Sequence, residues 1–65
     1  MIKFNETLKR LRIDKGFSIK MLAQLINVSP NTIISWEKGL TYPKSYNLIK
    51  IVKLFNVSCK YMLGV

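Results

Sequence analysis

The sequence has no histidine, a single cysteine and only three acidic residues, Glu6, Asp14 and Glu37. Without an imidazole, and with carboxylates so few, it offers no acid/base pair, metal cluster or activated nucleophile. It is read as a binding module, not an enzyme, that needs no cofactor and has no inferred small-molecule ligand. The lone Cys59 cannot close an internal disulfide, so the fold must stand on packing, and a free cysteine of this kind is expected as a small buried hydrophobe. No apolar run exceeds three residues, as in Tyr61-Met62-Leu63, whereas a membrane span needs roughly 20. The amino terminus also lacks the apolar core of a cleavable signal, which leaves the cytoplasm as the expected setting. Sustained alternation with hairpin turn signals is missing too, which argues against a sheet.

What is present is positive charge and aliphatic side chains. Eleven Lys and Arg give a net charge of +8, an excess that favours a polyanionic partner, either nucleic acid or an anionic membrane surface. Apolar residues make up 49% of the 65 positions, a globular balance. A chain this short buries only about 60% of the surface its unfolded form exposes. All its apolar residues must therefore serve one core, and residues 1–65 are expected to form one domain.

Helix punctuation recurs along the chain. Ser18, Ser29, Ser45 and Ser58 each precede a stretch with helical apolar spacing, and a serine hydroxyl satisfies the free amides at a helix start. Ahead of them Leu8 and Leu11 lie three apart, with Asn5 as a cap and Gly16 as a stop. The spacing predicts an all-α fold with helices at 5–15, 19–26, 30–38, 46–55 and 59–63. On the fourth, Leu48, Ile51, Val52 and Phe55 form one face, which leaves Ile49 and Leu54 off it as candidate dimer contacts. Leu63 and Val65 would extend that patch. The lysines at 9, 15, 50, 53 and 60 are assigned to a solvated face.

The segment from Ser18 to Lys38 is the most specific. Two short helices meet across Asn27, Val28 and Ser29, the length of connection found in a helix-turn-helix unit. Leu22, Ile26, Val28, Ile33 and Trp36 would all point inward if the helices cross, and Ala23 is small enough for their backbones to approach. Trp36 is accordingly read as core, not as a base-stacking platform. Asn tolerates the positive φ that such a turn often needs, and Pro30 suits a first helical turn.

The ordered set Leu8-Lys9-Arg10-Leu11-Arg12, Gly16-Phe17-Ser18, Leu22-Ala23, Val28-Ser29, Ile33, Trp36-Glu37-Lys38-Gly39, Pro43 and Phe55-Asn56-Val57-Ser58 resembles the phage-repressor and Cro-like helix-turn-helix regulators, the xenobiotic-response-element family. The resemblance spans nearly the whole chain. It implies a five-helix, lambda-repressor-like DNA-binding domain whose third helix enters the major groove of double-stranded DNA, commonly as a homodimer on a palindromic operator. It further implies a structural ion pair between Arg12 and Glu37, tying the first helix to the third. Two positions depart from the family pattern. Ile19 stands where Gln is frequent and reaches a phosphate, and Asn27 replaces the turn glycine.

The base-reading positions cannot be inherited and follow from geometry. With Ile33 and Trp36 inward and about 100° per residue, the third helix turns Asn31, Ser35 and Lys38 outward, flanked by Thr32 and Ile34. Asn bonds bidentately to adenine and Ile rests on a thymine methyl, which suggests an A/T-containing half-site. Ser29 and Pro30 would lie at the helix start beside the DNA backbone, while Lys38, Thr41, Tyr42 and Lys44 would follow the strand past the groove.

The function expected is a sequence-specific transcriptional regulator of repressor type. An antitoxin-like protein-interaction module with auxiliary DNA binding is the alternative. Binding of cationic helices to a membrane surface explains the charge but not the fixed apolar spacing from Leu22 to Trp36.

Overall fold

A computed structural model describes residues 4–64 and contains five helices in this order: α1 (Phe4–Asp14), α2 (Ile19–Ile26), α3 (Pro30–Glu37), α4 (Ser45–Phe55) and α5 (Cys59–Leu63). All of the regular structure described is helical, as expected, and the limits of every helix fall within one residue of those read from the sequence. None of the helices is long and apolar enough to cross a membrane.

Three of the four serine caps form as read. The side chains of Ser18, Ser29 and Ser58 accept from the amides of Met21, Thr32 and Tyr61 at 3.0, 3.2 and 2.9 Å. Ser45 does not cap. The capping position of α4 is Lys44, whose side chain has no acceptor, and the turn closes through its carbonyl, which accepts from Asn47 and Leu48 N at 2.9 Å each. Asn5 likewise lies inside α1 instead of capping it.

The helix ends share one device. After α1, α2, α3 and α4 a residue in the left-handed region reverses the chain: Gly16, Asn27, Gly39 and Asn56. In each case its amide bonds back three residues and the next amide bonds back five, as in Asn27 N to Gln24 O (3.3 Å) and Val28 N to Ala23 O (2.9 Å). This is the Schellman closure, which satisfies carbonyls left over at a helix end. Each is followed by an apolar residue. Phe17, Val28 and Val57 pack against the core, whereas Leu40 is 72% exposed.

The core is a single cluster. Phe4 and Leu8 from α1, Leu22, Ala23 and Ile26 from α2, Ile33 and Trp36 from α3, Ile51 and Phe55 from α4, and Met62 from α5 are all buried. The inward reading of Leu22, Ile26, Ile33 and Trp36 holds, and Val28 is partly buried against them. Ala23, 1% exposed, lies in α2, which makes its most extensive pairing with α3. Burying such side chains stabilises by roughly 1.5–3 kcal/mol each relative to exposure. That sum is the main term holding the α2–α3 angle.

Two expectations are corrected. Cys59 is exposed, not buried. With Ser58 capping, Cys59 becomes the first residue of a one-turn helix whose fully buried side chain is Met62. Leu54 is partly buried against the core and not free on the surface, because α4 packs on both α2 and α5 and its covered face is wider than one stripe. Ile49 is exposed as read and Leu63 is half-buried, whereas Val65 lies outside the described residues.

Candidate nucleic-acid interface

The geometry of α3 follows from what its two faces contain. Ile33 and Trp36 pin one face into the core, at 0% and 3% exposure. Asn31 and Lys38 are exposed on the other, with Ile34 and Ser35 half-buried between them. Asn31, Ile34 and Lys38 succeed one another at three- and four-residue intervals and so form a row along the helix. Ser35 is less open than a position opposite the core suggests.

At the start of α3, Ser29 and Pro30 are exposed and Thr32 is half-buried. The Ser29 and Thr32 hydroxyls share a hydrogen bond of 2.9 Å, in addition to the cap. Whichever of the two donates, the other keeps a hydroxyl hydrogen for an outside acceptor. Pro30 occupies the first turn, where its missing N–H leaves nothing unpaired.

Past α3 the chain runs through Gly39, Leu40, Thr41, Tyr42 and Pro43 to Lys44. Thr41, Tyr42 and Lys44 are exposed, as the sequence reading requires. Tyr42 is nevertheless anchored, because its ring lies 5.8 Å from that of buried Phe4 at a tilt of 47°. Gly39 adopts φ 76°, and a Cβ there would stand 3.5 Å from the Asn5 side chain. The connector is thus seated on the start of α1.

Arg12 and Glu37 form the ion pair. Arg12 Nε donates to Glu37 Oε2 at 2.7 Å, and Nη2 donates to Oε1 at 3.2 Å, with the two side chains 12% and 7% exposed. The Arg12 Nη1 group also donates to the Phe17 carbonyl at 2.9 Å. One guanidinium therefore joins α1, the end of α3 and the turn into α2, a planar fork that a lysine would not reproduce.

Two tertiary contacts were not read from the sequence. Lys50 Nζ donates to the Ile26 carbonyl at 3.3 Å, placing one of the two α4 cations at the carbonyl end of α2. Arg10 Nη2 donates to the Tyr61 hydroxyl at 2.6 Å, linking α1 to α5.

The comparisons agree with this architecture. Residues 8–62 match the family model described as helix-turn-helix. The HTH-type transcriptional regulator ImmR of Bacillus subtilis (strain 168) is 30% identical over 63 residues, covering 97% of this chain and 50% of the relative. The crystal structure of a transcriptional regulator from Listeria innocua superposes with a TM-score of 0.95 at 29% identity, covering 100% of this chain and 61% of that one. The chain therefore spans about half the length of the Bacillus relative. With 55 consecutive positions matched, from 8 to 62, the chain belongs to the helix-turn-helix family.

Proposed function

We propose that this chain binds double-stranded DNA sequence-specifically and serves as a transcriptional regulator of repressor type, acting as a homodimer on a palindromic operator. The observation that carries the reading is the two-faced α3. Its apolar side is locked into the core by Ile33 and Trp36, while Asn31 and Lys38 are exposed on the opposite side. A helix held in that way suits the major groove, which is wide enough to admit it.

Asn31 is assigned to an adenine, Ile34 to a thymine methyl and Ser35 to a neighbouring base edge. Ser29, Pro30, Thr32, Lys38, Thr41, Tyr42 and Lys44 are assigned to the DNA backbone. The charge of +8 supports the same partner, and the names of the Bacillus and Listeria relatives describe transcriptional regulators. Regulation by binding, with no catalytic step, is the reading that fits this family, and the cytoplasm is its expected setting.

Selection of bound duplexes from a random pool tests the proposal. Recovery of a short inverted repeat would support both the base-reading role and the dimer. Recovery of unrelated sequences, or retention of none at physiological salt, would refute it. Contact with about three to five phosphates per subunit would give a log–log salt slope near 0.9 times that number, doubled for a dimer.

A further inference from the structure

At the junction of α1, α2 and α3 lies an open cleft of about 210 Å³ lined by Lys9, Arg12, Ile19, Ile34, Glu37 and Lys38. Ile34 and Lys38 belong to the outward row of α3, so the cleft adjoins the proposed interface. The sequence reading left Lys9 among solvating lysines. The structure instead puts it on the rim of this cleft together with Lys38.

The charges of the lining sort themselves. Arg12 and Glu37 neutralise each other across the 2.7 Å bond, which is the only ion pair among the described residues. Lys9 and Lys38 are exposed, and neither enters an ion pair among the described residues. The same cleft is lined by Ile19 and Ile34, half-buried aliphatic side chains without a polar atom. Two cations and two aliphatic side chains in one cleft match a DNA strand, whose deoxyribose carbons rest on aliphatics while its phosphate oxygens accept from ammonium groups.

Position 19 opens α2 and borders the cleft, where the isoleucine side chain has no donor to offer a phosphate. Lys9 lies one turn before Arg12 on α1, and the Arg12–Glu37 bond fixes that turn against α3.

We infer that Lys9 is a phosphate-contacting residue, so that α1, as well as α3 and its connector, belongs to the DNA interface. The inference rests on the DNA-binding reading above and adds to it an anchor on the strand contributed by α1.

The test uses the full chain with the duplex recovered by selection, measuring affinity across a salt series and phosphate ethylation interference. Lys9→Gln should weaken binding equally for the selected duplex and for scrambled ones. It should lower the log–log salt slope by about 0.9 per subunit and abolish interference at one phosphate per half-site. Lys9→Arg should keep the slope, and Lys53→Gln, which removes a charge on the far part of α4, should leave both readouts unchanged. A wild-type slope and interference pattern in Lys9→Gln, with selected-site binding intact, overturns the role of Lys9 and spares the DNA-binding reading. The same holds if Lys53→Gln reproduces the loss, since net charge would then be the cause. Failure of the unmodified chain to bind any duplex overturns both.

Discussion

Arg12 holds Glu37 side-on, through Nε at 2.7 Å and Nη2 at 3.2 Å, and with its remaining nitrogen holds the carbonyl of Phe17. Truncating either partner strands a nearly buried charge, which costs about 3 kcal/mol. Arg12→Ala and Glu37→Ala should each lower the urea midpoint by that equivalent. The apolar pair Arg12→Met with Glu37→Leu should lose less than either single change, because neither charge is then left alone. A double variant weaker than both singles would refute this account.

Asn27 turns the chain between α2 and α3 at φ 60°, a conformation that costs an ordinary L-residue roughly 1–2 kcal/mol. Asn27→Ala should lower stability by about 1 kcal/mol. Asn27→Gly removes the steric cost but adds freedom to the unfolded chain, a loss of about 0.5–1 kcal/mol, so its melting temperature should stay close to that of the wild type. Thermal unfolding followed by circular dichroism separates the two.

Ser29 and Ser45 look alike in the sequence yet occupy different positions at their helix starts. Ser29→Ala removes an acceptor from Thr32 N and should cost about 1 kcal/mol. Ser45→Ala touches no cap and should change stability by less than about 0.5 kcal/mol. Equal losses in denaturant titrations would contradict the placement of Lys44 as the α4 cap.

On DNA, Asn31→Ala and Lys44→Ala should fail in different ways. Asn31→Ala should relax discrimination at one base pair by roughly 1–3 kcal/mol, with melting unaffected. Lys44→Ala should weaken all duplexes alike and reduce the salt slope by about 0.9 per subunit. Competition binding against single-base variants of the selected site reports both. A uniform loss from Asn31→Ala would remove it from base reading.

The parts of this fold that were legible are those written in local chemistry. Ser18, Ser29-Pro30 and Asn27 each act on amides or carbonyls within a few residues, so the limits of α2 and the start of α3 could be read directly. The α4 cap was misplaced by one residue, because capping depends on which residue holds the extended backbone and serine merely fits it best. Cys59 was misjudged since the burial of a one-turn helix depends on how it meets α1 and α4. The Lys50–Ile26 and Arg10–Tyr61 bonds join positions 24 and 51 apart, and nothing in the local pattern pairs them. The Arg12–Glu37 pair was legible only through family resemblance. Exposure of Asn31 and Lys38 followed from helical periodicity, but the half-burial of Ser35 did not.

Among the described residues the side chains of Asn31, Ile34 and Lys38 enter no hydrogen bond with the rest of the molecule, while the helix stops are closed by main-chain atoms. On the proposed reading, the address label and the bracket that carries it are therefore chemically separate. Exchanging the exposed Asn31 side chain should, if DNA is bound as proposed, shift the operator preference while the melting curve stays where it was. A lineage of such proteins could thus diverge in what it controls without first having to be rebuilt.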